Sequence, residues 1–368
     1  MTCSTVFGMA ADTGQAIDWA AAVRAGQRLA PAGPKVSVQQ AGEAAADLQR
    51  FSARAELVVR DTTHLGQGLP VQRAQIVDRP RWIEATAQGM AELTAPLAEK
   101  LIGRLGSAPK TKAVAGAQLG VVLSFLSSRV LGQYDPLSPT GAEAADSDAR
   151  VPDAGGPGRL LLVAPNIIQV ERELPADPAD FRMWVCLHES THRLQFTAVP
   201  WLREHFRDLV AEFGAAADTD PSDVLGRVVA AIRGGARSRS ARSWIETIQT
   251  PEQRAVFDKL MGLMTLLEGH ADHVMDAVGP SVVPSVAAIR SSFTERRRKG
   301  RGPLDRIFRS LLGMDMKLAQ YVKGAAFVGA VVEQVGMDGF NAVWSSPAHL
   351  PTRAETTDPA GWVRRVLG

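Results

Sequence analysis

The stretch DPADFRMWVCLHESTHRLQF, residues 177–196, decides how the rest of the chain is read. Asp177 is a helix N-cap residue and Pro178 suits the first helical position. Asp180 adds a negative charge where the free N–H groups of a first turn favour it. Behind the cap, Phe181, Trp184, Val185, His188, His192 and Phe196 recur at a spacing of three to four, which predicts one long helix. On that helix His188 and His192 lie one turn apart on the same face, so both imidazoles can hold one ion about 2 Å away. Glu189 points about 100° round, beside such an ion rather than onto it. A carboxylate there can take a proton from a metal-activated water, so the spacing fits Zn2+ as cofactor, His188 and His192 as ligands and Glu189 as catalytic base, and it fits equally a helix with two surface or core histidines and an exposed glutamate; the rest of the chain decides between them. Gln195 and Thr191 are read as supports of this helix, and Cys186, two residues before His188, as a packed small hydrophobe.

Zinc needs a third protein ligand. One zinc pattern continues with glycine three residues after the second histidine and a third histidine three residues beyond. Gln195 and Ala198 stand there, which excludes it. A later helix offers TLLEGHADHVMD, residues 265–276, with Glu268 and Asp272 four apart on one face that Leu266, Leu267, Val274 and Met275 place against a core. Glu268 is the candidate ligand and Asp272 the acceptor for the outer ring N–H of a ligand histidine. Glu246 and Glu212 are weaker substitutes. The oxyanion of an attacked carbonyl also needs a donor, and Tyr321, His270 and His273 are the candidates.

Outward from the motif the chain reads as mainly α (α+β). Helical periodicity covers residues 12–31, 39–59 and a segment opening at Asp78, DRPRWIEATAQGMAELTAPLAEKLIGRLG. RLLLVAPNIIQVER, 159–172, carries branched-apolar runs either side of Pro165, which predicts one or two strands at the edge of a sheet. The segment 135–158, rich in Pro, Gly, Asp and Ser, is a loop, and so is the basic run TERRRKGRGPLDR, 294–306. Residues 201–217 and 251–279 are helical, and 307–344 read as two helices. The expected architecture is a helical bundle with a small sheet whose edge strand borders the cleft. It forms one continuous catalytic domain: an N-terminal lobe, 1–197, carries the edge strand and the HExxH helix, and a C-terminal helical lobe, 198–368, carries the third ligand.

Composition narrows the function. A net charge of +2, from 41 basic and 39 acidic side chains, leaves no global field to draw in nucleic acid or an anionic membrane. Two cysteines, Cys3 and Cys186, are too few for a disulfide framework or a thiolate zinc site. With no secretory leader pattern at the N-terminus, the expectation is a cytoplasmic protein. The nearly uncharged stretch AVAGAQLGVVLSFLSSRVLG, 113–132, approaches the length of a membrane span, but Gln118, Ser124, Ser127, Ser128 and Arg129 favour a helix buried in a core.

At these residues the chain resembles the zincin-like metallopeptidases, in the gluzincin arrangement of HExxH followed by ExxxD. It is also similar to a family of zinc-dependent hydrolases of high-GC bacteria, some labelled as associated with biosynthesis of a deazaflavin coenzyme. The stretches VDRPRWIEA, LLLVAPNIIQVERELPADPADFRMWVCLHESTHRLQF, LLEGHADHVMD and GFNAVWSSPAHLPT carry the likeness over nearly the whole chain. The 75 residues between His192 and Glu268 form a longer insertion than the simplest gluzincins carry. The resemblance implies ligands His188, His192 and Glu268, base Glu189, and a cleft under an edge strand, for which LLLVAP is the candidate because an unpaired edge can bind an extended peptide. Three functions stay open: a zinc peptidase, a zinc amidase acting on a small metabolite, and a binding or scaffold protein that keeps the fold, with His270 or His273 as a fourth ligand closing the site.

Overall fold

The structure, a computed structural model, describes residues 15–98, 102, 108–138, 158–216, 251–299 and 314–368. Along them run α1 (Trp19–Leu29), α2 (Val38–Thr63), β1 (Gln75–Val77), α3 (Arg79–Thr94), α4 (Pro109–Ser127), β2 (Gly132–Asp135), β3 (Arg159–Val163), α5 (Ala164–Glu171) and α6 (Pro178–Ala198). Then follow α7 (Leu202–Ala216), α8 (Pro251–Val278), α9 (Val286–Lys299), α10 (Met314–Phe340) and α11 (Pro359–Leu367). The mainly helical expectation holds. Helix α4 takes up the uncharged stretch as a core helix through Leu119 and Leu123. Among the described residues no helix is long and apolar enough to cross a membrane.

The sheet corrects one expectation. Its order is β1-β3-β2, with β1 parallel and β2 antiparallel to β3, so RLLLV is the middle strand and not the edge. The physical reason lies in its two-sided burial. Leu160 and Leu162 point into a core built on α2 and α6, while Leu161 and Val163 point into a second core with Trp19 and Trp82. A strand covered on both faces is a continuous apolar run. Pro165 limits nothing, because it falls in the first turn of α5, where its missing N–H costs no hydrogen bond. The edge beside the motif helix is β2.

Helix α6 runs through the middle of the fold. Asp177 caps it as the sequence predicts, accepting from the N–H of Ala179 at 2.8 Å and of Asp180 at 3.4 Å. Almost every residue from Phe181 to Gln195 is buried, Cys186 completely, and only Arg182, His188 and His192 in this span are half-buried. One buried ion network ties it to α2. Glu56 receives both Arg193 and Arg60, and the two guanidiniums also reach the carbonyls of Pro70 and Gln72. Arg193 adjoins His192, so the network fixes the axial position of the motif.

Helix α8 packs on α6 and crosses α10 where Gly269 meets Gly324. A Cβ on Gly269 would lie 2.2 Å from the Gly324 carbonyl carbon, so only glycine lets the two backbones come this close. The segment expected to form two helices is interrupted at Gly336, whose φ of 73° is open to glycine. A third core, with Leu202, Leu267, Phe327, Phe340, Trp344 and Trp362, joins α7, α8 and α10 to the C-terminal α11. The basic run expected as loop is helical over its first six residues, the end of α9. Its remainder, most of the 135–158 loop and Glu246 lie outside the described residues.

Candidate metal centre

Three side chains from two helices converge on the half-buried face of α6. His188 Nε2 and His192 Nε2 are 3.1 Å apart, and Glu268 Oε2 of α8 lies 3.6 Å from each. A triangle with these sides has a centre about 2.0 Å from every corner, the distance at which imidazole nitrogen and carboxylate oxygen bind zinc. The rings meet edge to face at 89°, so both nitrogens aim at one point rather than stacking. The group could hold a metal ion, and among the described residues no fourth His, Cys, Asp or Glu joins it. The side chains of His188, His192 and Glu268 keep 24%, 15% and 20% exposure, so the centre is reachable from solvent.

Glu189 sits beside this group, buried under β2. A Cβ added to Gly132 would fall 2.5 Å from Glu189 Cγ and 2.9 Å from its Oε1, so the strand backbone rests directly on the carboxylate. Burial pushes the Glu189 carboxyl up to about 7; the His192 ring opposes the shift and the Glu268 carboxylate adds to it. Burial alone would lower His192, but Glu268, Glu189 and a hydrogen bond from the ring to Gln195 raise it to about 9 in the metal-free site. Gly132 is a neighbour of the site that sequence reading missed. Its only signal was a glycine opening a short strand, which marks a close backbone approach.

The outer ring nitrogens face neutral partners. His192 Nδ1 lies 3.0 Å from Gln195 Oε1, and His188 Nδ1 lies 3.2 Å from Met275 Sδ. Asp272, expected to orient a ligand histidine, does something else: it accepts from Arg290 Nη1 of α9 at 3.1 Å. The i+4 spacing put Asp272 on the right helix face, but a cation from another helix takes the carboxylate. His270 is fully buried behind Gln195 and stacks on Phe340, and burial, with His273 and His192 adding, drives it down to about 3. It is a neutral, fully buried core group between Phe340 and Trp344. His273 is half-buried beside α10 with its ring nitrogen 3.8 Å from where a Gly329 Cβ would be, and Glu212 is exposed on α7. Tyr321 belongs to α10, but its side chain lies outside the described residues.

The family model of the zincin-like metallopeptidases matches residues 17–363, and the chain belongs to that family. The chain is also similar to a crystal structure from Chloroflexus aurantiacus, presented as a candidate hydrolase with a novel fold. Identity is 33%, over 95% of this chain and 98% of the other, with a TM-score of 0.65. A search of curated proteins returned no match.

Proposed function

We propose that the protein is a zinc-dependent hydrolase, in the first instance a metallopeptidase. The observation that carries this reading is the triangle of His188, His192 and Glu268, with a centre at zinc-ligand distance and an exposed side. These three residues would hold the ion. When bound, zinc polarises the attacked carbonyl and lowers the pKa of water. Glu189, held under β2, takes the proton of the attacking water on its carboxylate as the new C–O bond forms. It then delivers that proton to the amide nitrogen as the C–N bond breaks. Burial holds the Glu189 carboxyl above its ordinary value, which favours a group that must both take and give up a proton.

Among the described residues no strand pairs with the outer edge of β2, next to Glu189, which would suit an extended peptide bound between an N-terminal lobe, 1–197, and a C-terminal lobe, 198–368. The hydrolase name of the Chloroflexus relative agrees with this reading, and the two cysteines agree with a cytoplasmic setting. Whether the amide belongs to a peptide or a small metabolite is decided by screening quenched peptide libraries and metabolite extracts. The mechanism is decided by Glu189→Gln. This isosteric change should leave zinc content and melting temperature at wild-type levels and lower turnover by roughly 10²- to 10⁴-fold. His188→Ala should lose the metal itself. Full turnover in Glu189→Gln, or a folded wild-type protein that never retains zinc, would overturn the proposal.

A further inference from the structure

Gln195 lies one turn beyond His192 on α6, is wholly buried, and makes three polar contacts that fix it completely. Its amide nitrogen is 2.9 Å from the carbonyl oxygen of Leu267 and 3.0 Å from His270 Nδ1. A carbonyl only accepts, so the atom facing Leu267 must be the N–H donor, and flipping the amide would set two oxygens against each other. The remaining atom, Oε1, therefore faces His192 Nδ1 at 3.0 Å, and as a pure acceptor it requires that nitrogen to carry the proton. A protonated Nδ1 leaves the lone pair on Nε2, the nitrogen that points at His188 and Glu268. Leu267, which anchors the amide, is the residue before Glu268.

We infer that Gln195 is the positioning residue of the centre, a neutral amide that sets the tautomer and pitch of His192 while pinning the helix that carries Glu268. The inference rests on the reading of His188, His192 and Glu268 as metal ligands. It goes beyond that reading by naming what aligns the donors from two helices: one side chain bonded to both. A neutral acceptor does the work usually given to a carboxylate, so the ring gains orientation without the added negative charge of an acid.

The test compares zinc affinity, by competition with a chromogenic chelator, and metal-free melting temperature in full-length wild type, Gln195→Met, Gln195→Glu and His192→Ala. Gln195→Met keeps the volume and removes the acceptor and donors. It should bind zinc about 10- to 100-fold more weakly, the range seen when such outer partners are removed. Gln195→Glu keeps an acceptor for His192 but turns an oxygen on Leu267. It should melt lower than wild type without metal, yet hold zinc at least as tightly. A residue that merely filled space would show no such split, because Gln195→Met keeps the volume and would then bind zinc as wild type does. If Gln195→Met does not fold, the Gln195→Glu comparison decides alone, and weaker zinc binding in that folded variant overturns the inference. Wild-type zinc affinity in Gln195→Met also overturns it. His192→Ala separates the two levels: unchanged zinc affinity there refutes the metal site itself, whereas loss there with full affinity in Gln195→Met refutes only the role of Gln195.

Discussion

Replacing Gly132 by alanine is the smallest change that should separate the position of Glu189 from the integrity of the metal centre. The backbone at Gly132 is not in the left-handed region, so alanine meets no conformational penalty there. The penalty is contact: the new Cβ would stand 2.5 Å from Glu189 Cγ, 2.7 Å from Cδ and 2.9 Å from Oε1. Carbon atoms pack at roughly 3.5–4.0 Å, so strand and carboxylate must separate by about 1 Å. Overpacking of this size costs about 1–3 kcal/mol of stability, less if the edge strand gives way. A 1 Å misplacement of a reacting group costs about 100-fold in rate. The nearest atoms that such a Cβ meets belong to Glu189 and not to His188, His192 or Glu268, so zinc content should stay at wild type. The assay is turnover of a quenched fluorogenic peptide mixture, with metal analysis and urea denaturation of the same preparations. Gly132→Ala with wild-type turnover would refute the claim that the strand seats the carboxylate. Lost zinc would show that the strand supports the ligands instead.

Two further outcomes follow from the same structure. Glu56→Ala would leave Arg60 and Arg193 buried without their carboxylate, which should cost roughly 3–5 kcal/mol; a urea-unfolding loss below about 1 kcal/mol would show that the network contributes little. Zinc uptake should release protons, because His192, raised to about 9, is charged at pH 8 in the metal-free protein, whereas Glu189, at about 7, is already mostly ionised there. Calorimetry in buffers of different ionisation enthalpy should find about one proton released per zinc at pH 8 and none well above pH 9, with affinity rising up to that point. No release at pH 8 would show that the ring is neutral before the metal arrives.

What could be read from the sequence was local. The Asp177 cap, the Pro178 start and the i, i+4 pair of histidines are relations within one helix, and backbone geometry alone turns them into a shared face. Glu268 was legible for a similar reason, since its apolar neighbours announced a core-facing helix and a carboxylate on such a face needs a partner. What spacing does not give is tertiary. RLLLV lies mid-sheet although a proline follows it closely, because Pro165 belongs to the next helix and the unbroken apolar run is that of a strand buried on both faces. For Asp272 the spacing gives direction but not competitors, and Arg290 reaches it from α9, 18 residues further on.

Gly132 and Gln195 show why the site itself was only half legible. Each acts through a contact made by folding: Gly132 by letting an edge strand lie on Glu189, Gln195 by bonding to a carbonyl 72 residues away. Neither residue type carries chemistry of its own. A metal centre needs donors, which a sequence displays as His and Glu. It also needs those donors held still, and that work falls to whatever amide, backbone or missing side chain the fold brings alongside. Glu189 illustrates the consequence. In solution a glutamate is a weak base at neutral pH. Burial brings its pKa to about 7, and Gly132 is where the strand backbone comes close to the carboxylate, so on the proposed reading the glycine serves the chemistry by allowing that approach.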